Sequence, residues 1–284
     1  MSNRKNYQQQ YRTRKLSHGY PDLEEQAVDH FSGYLGIDSG IFDRKMPLIN
    51  RLIDLEAMGS EILVVGCGPK PDMVKSMLQN GYNVRGVDVI PDYARLGGEY
   101  IGDPDRILVG KAEKLPFDDG TQSVVFLSSV LEHVDSPEEA IRENFRVLKP
   151  GGVCFVSTTN RWRFSLLGNN GEFRVPFFNW FPSLVKESYV FHHLHYKPTL
   201  ANYSPRPAVH WFSYSDLCRL GRRVGFAQFY SPIDLMDEND PRFSMGAVRR
   251  FLRPLLTLVK YNPWLRSIVL SQNGSVYMWK RSAE

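Results

Sequence analysis

The stretch EILVVGCGPKP, Glu61 to Pro71, runs through four apolar residues into two glycines one residue apart and then into two prolines. A short apolar run bounded by such residues is the mark of a strand buried on both faces, as in a parallel sheet. Glycines directly after the strand allow a tight turn and let a ligand approach bare backbone. Pro69 and Pro71 suit the first turn of a following helix, where a missing N–H is tolerated.

Outward from this turn the same rhythm repeats. Strands are expected at 62–65, 83–89, 106–109, 123–130 and 152–159, with helices at 71–80, after the second strand, and at 137–147. Apolar strands alternating with helices predict an α/β fold, a doubly wound and mostly parallel sheet covered on both faces. Apolar residues at helical spacing place cap helices at 24–35 and 44–58, ahead of the first strand. After Asn160 the rhythm fails: 161–210 is rich in aromatics, prolines and histidines without a period, and it reads as a substrate-side insertion with short helices. The rhythm returns with a helix at 214–224 and strands at 225–230 and 275–280. Residues 1–23, polar and rich in Gln, Arg and Tyr, are expected to form a mobile tail, and 24–284 a single domain carrying the insertion.

The chain has 284 residues and an apolar share of 42%, enough to bury a real core. The basic N-terminus has no apolar stretch behind it, which points away from a signal peptide or spanning segment and makes the cytoplasm the default location. Cys67, Cys154 and Cys218 are odd in number and far apart, so neither a disulfide framework nor a structural metal is expected. The net charge of +4 is unevenly spread: from Pro241 to Glu284 there are eight Lys or Arg against one acid.

A dinucleotide-binding turn reads GxGxxG. Here Gly66 and Gly68 are present, but Pro71 stands where the third glycine would be. The turn therefore fits an adenosyl ligand without phosphates better than a dinucleotide. Asp88 follows 22 residues after Gly66, at the end of the second strand, where a carboxylate can accept both vicinal hydroxyls of a ribose. A lone Asp after a strand is more often a turn residue, but the glycine pair upstream favours the ligand reading.

Together VVGCG, GVDV, GKAEKLPFDDGTQSVVFLSSVLEHVDSPEEAI and RVLKPGG resemble the class I S-adenosylmethionine-dependent methyltransferases, in particular the bacterial group labelled type 11. The resemblance covers about 58–160, and more weakly 210–230. It implies a seven-stranded sheet with a final antiparallel strand and S-adenosyl-L-methionine as cofactor. It also implies that Gly66, Cys67 and Gly68 line the methionine and ribose portion, that Asp88 binds the ribose diol, and that Val89 lies against the adenine face. Ala112 and Glu113 then fall at the adenine edge and Ser128 beside the methionine moiety. The chain departs from the family pattern at Val64, Lys70 and Lys111.

Methyl transfer from a sulfonium needs an acceptor lone pair in line with the S–CH3 bond, so positioning and desolvation supply much of the catalysis. A hydroxyl acceptor also needs a general base. His133 in LEHV is one candidate and His193 in FHHLH another, each set against a structural or surface role. His192, His193 and His195 lack the motif of a zinc site. His210, in VHWF, resembles the family position before the post-insertion helix and is expected to face the site. The insertion's aromatics suit a pocket for a ring or sugar, or equally a mini-core of their own.

The leading expectation is a methyltransferase acting on a small-molecule acceptor, forming an O-methyl group on a hydroxylated metabolite, sugar or lipid-linked glycan. RNA methylation is the second reading. It is motivated by the basic termini, but no NPPY-like tetrapeptide or RNA-binding module accompanies them, so nucleic acid is not the expected partner. An inactive cofactor-binding scaffold is the third, motivated by Val64, Lys70 and Lys111. The basic amphipathic run AVRRFLRPLLTLVKYNPWLRSIVL suits peripheral contact with a membrane, although ordinary packing with a solvated basic face is the simpler alternative.

Overall fold

In the computed structural model, residues 40–59, 61–163, 173, 175–192, 194, 208–236, 246–271 and 274–282 are described. The chain divides into two compact units, one of 36–164 with 210–284 and one of 1–35 with 165–209. The larger unit holds a seven-stranded sheet in the order β3-β2-β1-β4-β5-β7-β6. Its strands are β1 (Glu61–Val65), β2 (Asn83–Asp88), β3 (Ile107–Val109), β4 (Gln122–Ser128), β5 (Leu148–Ser157), β6 (Gln228–Tyr230) and β7 (Ser275–Trp279). β1 pairs in parallel with β2 and β4, and β4 with β5, whereas β7 runs antiparallel between β5 and β6. This is the doubly wound sheet that the alternating apolar runs predict.

The side-chain period of a strand explains why the runs are apolar throughout. Ile62 and Val64 of β1 join Val84, Phe126, Phe155 and Tyr277 in a core with the helix Asp72–Gln79. Leu63 and Val65 point the other way, into a second core with Leu127, Val156 and Met278, closed by the helices Pro137–Val147 and Tyr214–Val224. In register across β4, β5 and β7, the rings of Phe126, Phe155 and Tyr277 meet at centroid distances of 5.8 and 4.9 Å. Both layers are therefore continuous through the middle of the sheet.

The helix Pro137–Val147 begins where DSPEEA puts it: Ser136 Oγ accepts the Glu139 N–H and Pro137 occupies the first turn. Other boundaries differ from the sequence reading for local reasons. The helix expected over 44–58 is two pieces, Gly40–Ile49 and Leu55–Met58, because the Leu52 and Ile53 N–H groups bond back to the Ile49 carbonyl and Asp54 caps a new start. The strand expected over 123–130 stops at Ser128, since Ser129 takes φ 54° while its N–H bonds the Ser157 carbonyl. The strand expected over 225–230 shrinks to Gln228–Tyr230, because the Phe226 N–H is drawn back to the Gly221 carbonyl at the end of the preceding helix. The cap helix expected at 24–35 and the tail at 1–23 lie outside the described residues.

In the smaller unit, the described residues include the helix Ser183–His192 and a 3-10 turn, Phe178–Trp180. Phe173 and Phe181 pack against Phe178 at 4.9 and 6.1 Å between ring centroids. Lys186 is buried there with its Nζ donating to the Asn179 carbonyl at 3.1 Å. These aromatics thus build a local core, the alternative that the sequence leaves open beside a substrate pocket.

Candidate active site

The turn after β1 is built by hydrogen bonds to β2. The N–H groups of Gly66 and Cys67 both donate to the Val87 carbonyl, at 2.7 and 3.2 Å. Gly66 and Gly68 have φ of 67° and 71°, the left-handed region that side chains resist. Their surroundings differ. A Cβ at Gly66 would stand 2.3 Å from Val130 Cγ2, whereas at Gly68 it would meet nothing within 4 Å among the described residues. Gly66 is thus packed against the loop after β4, and Gly68 presents open space.

Asp88 ends β2 and closes the turn. Its Oδ2 accepts the Gly68 N–H at 2.9 Å and its Oδ1 the Ile90 N–H at 3.0 Å. Burial pushes the carboxyl above the ordinary range, and the backbone bonds from Ile90 and Gly68 pull it part of the way back. Each carboxylate oxygen carries two lone pairs and has accepted one of these bonds, so each can still accept a hydroxyl. Gly68 and Asp88 therefore offer an open backbone face beside an acceptor pair, which fits a nucleoside without phosphates.

Cys67 is in the core with Val64, Ala94 and Ile107, so its side chain belongs to packing and only its backbone belongs to the turn. Burial, then the charge of Asp88, push its thiol well above the ordinary range. A small cleft at the turn is lined by Gly66, Cys67, Lys70, Pro71 and Ser128, among others. Val89 is half-buried beside Asp88, and Ala112 is buried in the second core. Glu113 Oε1 accepts the Asp135 N–H at 2.7 Å and the Ser136 N–H at 3.4 Å, which joins the segment after β3 to the loop after β4.

His133 is half-buried, with its N–H on the Val130 carbonyl at 2.9 Å. Ser128 and Val130 stand next to the Gly66 turn, and His133 follows three residues after Val130 in the same loop. His193 and His195 lie outside the described residues, as does the side chain of His192. His210 is not an open group: it is 3% exposed, and its Nε2 lies 2.9 Å from the Val134 carbonyl while its N–H donates to the Glu132 carbonyl. It braces the loop from beneath, because a buried imidazole needs a partner and a backbone carbonyl supplies one.

Glu132, which the sequence reading passes over, is fully buried in the same loop. Its Oε2 accepts the Thr158 hydroxyl at 2.7 Å, joining the loops after β4 and β5, and its Oε1 has no hydrogen-bond partner. The sequence signal is only a Glu beside a His after a strand; its partner is 26 residues away. Among the described residues, no group of three His, Cys, Asp or Glu could hold a metal ion.

Comparison with known proteins points to the same segment of the chain. Residues 63–156 match the family described as a methyltransferase domain. A ubiquinone biosynthesis O-methyltransferase of Pseudomonas aeruginosa is 33% identical over 134 residues, covering 40% of this chain and 52% of that protein. A probable S-adenosylmethionine-dependent methyltransferase of Mycolicibacterium smegmatis is 32% identical over 138 residues, covering 43% and 47%. Among solved structures, a SAM-dependent methyltransferase from Archaeoglobus fulgidus aligns over 85% of this chain and 92% of its own at 14% identity, with a TM-score of 0.47. The chain spans about half the length of the curated relatives it matches. The matched segment, residues 63–156, contains both the Gly66 turn and Asp88 and is the part of the chain that is similar to S-adenosylmethionine-dependent methyltransferases.

Proposed function

We propose that the chain is an S-adenosylmethionine-dependent methyltransferase that forms an O-methyl group on a hydroxylated small molecule: a metabolite, a sugar or a lipid-linked glycan. The observation that carries this reading is the bond from the Gly68 N–H to Asp88, beside a glycine whose added Cβ would meet no atom of the described residues within 4 Å. Similarity to proteins named ubiquinone biosynthesis O-methyltransferases supports a hydroxyl acceptor.

S-adenosylmethionine brings an electrophilic methyl group on a sulfonium sulfur. The protein's share is to bind and orient. Asp88 would accept the two ribose hydroxyls, the backbone of Gly66 to Gly68 would line the ribose and methionine, Val89 would lie against the adenine face and Ala112 at its edge. Ser128 borders the methionine end, and Glu113 fixes the adjoining loop through its two backbone bonds. His133 is the candidate base that removes the acceptor's hydroxyl proton as the oxygen–carbon bond forms, with His193 a second candidate. Glu132 and His210 hold the loop that carries His133, so that its position is set before an acceptor arrives.

Calorimetric titration with S-adenosylmethionine tests the reading. The wild-type chain is expected to bind, and Asp88→Ala to weaken binding by about 2 kcal/mol, on the order of 30-fold, as two hydrogen bonds to a carboxylate are lost. No binding by the wild type overturns the reading, and unchanged affinity in Asp88→Ala removes Asp88 from the ribose site. With radiolabelled methyl donor and a set of phenolic and sugar acceptors, His133→Ala should slow transfer without altering cofactor affinity. A wild-type rate in that variant rejects His133 as the base.

A further inference from the structure

From 246 to 271 the chain contains Arg249, Arg250, Arg253, Lys260 and Arg266 and no acidic residue. The segment forms two helices, Gly246–Tyr261 and Pro263–Ser271, which pack against each other. Asn262 separates them: its Oδ1 accepts the N–H groups of Trp264 and Leu265 at 3.0 Å and so starts the second helix.

One side of this pair is fastened to the helix Pro232–Leu235 and the residue after it. Lys260 Nζ donates to the Met236 carbonyl, and Arg266 Nη2 bonds Asp234 Oδ1 at 2.6 Å. Val259 is buried. Leu255, Leu258 and Tyr261, spaced three residues apart along the first helix, remain exposed, as do Trp264, Ile268 and Val269 on the second. Tyr261 is 83% exposed and Trp264 70%, far more than large aromatics usually show on a monomer's surface. Among the described residues, no helix is long and apolar enough to cross a membrane.

We infer that this helix pair is a docking surface for an anionic lipid bilayer, lying in the headgroup region with Leu255, Leu258, Trp264 and Ile268 toward the acyl chains. Three features select this occupant. Tyr and Trp favour the membrane interface, because their rings are apolar and their polar edges want water. A segment with five basic residues and no acid of its own keeps a positive charge after Arg266 pairs with Asp234, so it is attracted to a negatively charged surface and a two-fold pairing of this face would set like charges together. Aliphatic Leu, Ile and Val between the aromatics suit hydrocarbon, whereas a face for nucleic acid would use stacking rings and cations. The surface shares no residue with the Asp88 turn, so this inference and the methyl-transfer reading stand or fall separately.

Co-sedimentation of the full chain with vesicles tests it. The chain is expected to pellet with phosphatidylcholine vesicles containing phosphatidylglycerol and to remain in solution with phosphatidylcholine alone. Added salt should weaken the binding without abolishing it, since screening acts on the charges and not on the apolar contact. Replacing Leu258 and Trp264 together by Ser should lower vesicle affinity on the order of tenfold or more, with an unchanged circular dichroism spectrum. The inference is overturned if the wild type stays in solution with the anionic vesicles, or if the double variant binds them as the wild type does. It is equally overturned if the same substitutions abolish a concentration-dependent dimer, or binding to a single-stranded RNA oligomer, while leaving vesicle binding intact.

Discussion

The two ends of the central strands are built from the same chain and behave differently. At their amino ends lies an open, polar groove of about 810 Å³, bordered by Glu61, Asn83, Arg85, Gln122 and Lys149. At their carboxyl ends the cleft is far smaller and is lined by Gly66, Cys67 and Ser128 among others, while beside it the Gly68 N–H bonds the buried carboxylate of Asp88. The groove's Glu61 and Lys149 satisfy each other, whereas at the carboxyl ends backbone N–H groups converge on one acid. Volume alone would choose the end opposite to the proposed site. What marks a ligand site in an open parallel sheet is a strand terminus where the connection turns away and leaves backbone and carboxylate unshielded.

The largest effect that can break this contrast comes from the two glycines. Gly66→Ala combines left-handed strain with a clash against Val130 and should lower stability by about 3 kcal/mol, a large share of what a domain possesses. Gly68→Ala carries the strain but no clash, so about 1 kcal/mol is expected in urea unfolding. Its methyl group nonetheless occupies the open side, and S-adenosylmethionine affinity should fall tenfold or more, about 1.4 kcal/mol, by calorimetry. Equal destabilisation by the two variants, or full affinity in Gly68→Ala, would mean that the ligand does not lie over Gly68.

The sequence made the carboxyl end legible because its determinants are local. Four apolar residues, two glycines and an acid on the next strand lie within 27 residues, and each constrains backbone or burial directly. The apolar runs of β4 and β5 are equally local, and both strands form there, although β4 ends two residues early and β5 starts four residues early, at Leu148. The insertion of β7 between β5 and β6 is a different matter, since no spacing in the chain encodes it and only the family resemblance implies it. Side-chain destinations were the least legible. Cys67 lies between two site glycines and yet turns into the core. Glu113 bonds backbone 22 residues away, and His210 bonds a carbonyl 76 residues away. Such contacts depend on how loops from different strands meet, which periodicity does not record.

A middle-sized effect probes the wall of the amino-end groove. Arg146 donates to the carbonyls of Leu115 and Phe117 and to Glu143, while Glu143 Oε2 also accepts the Leu115 N–H at 3.0 Å. The hydrogen bond from Arg146 holds the Glu143 carboxyl below its ordinary value of 4.5, and burial opposes this. Glu143 therefore stabilises the fold fully above the unfolded-state pKa, and that contribution is lost as the pH falls through the lowered folded-state value. Glu143→Gln should cost about 1–2 kcal/mol at neutral pH in urea unfolding, with a shallower decline in acid than the wild type, and should leave cofactor affinity unchanged. A deficit that persists undiminished in acid would locate the effect in packing instead of charge.

The smallest effect is the sharpest test of the division between the two ends. Glu61 begins β1, four residues from the strand's last residue before Gly66, and its carboxyl is held below the ordinary value of 4.5 chiefly by the hydrogen bond from Lys149. The pair is partly exposed, and Lys149 also donates to the Met58 carbonyl at 2.6 Å, so removing the charge leaves the lysine with a partner. Glu61→Gln should therefore lower stability by only about 0.5 kcal/mol, less in high salt. The difference from wild type is present above the ordinary glutamate pKa and vanishes as the pH falls through the lowered folded-state value. S-adenosylmethionine affinity should be unaltered by calorimetry. A loss of affinity in this variant would show that β1 transmits strain from one end to the other, and the amino-end groove would then have to be counted as part of the site.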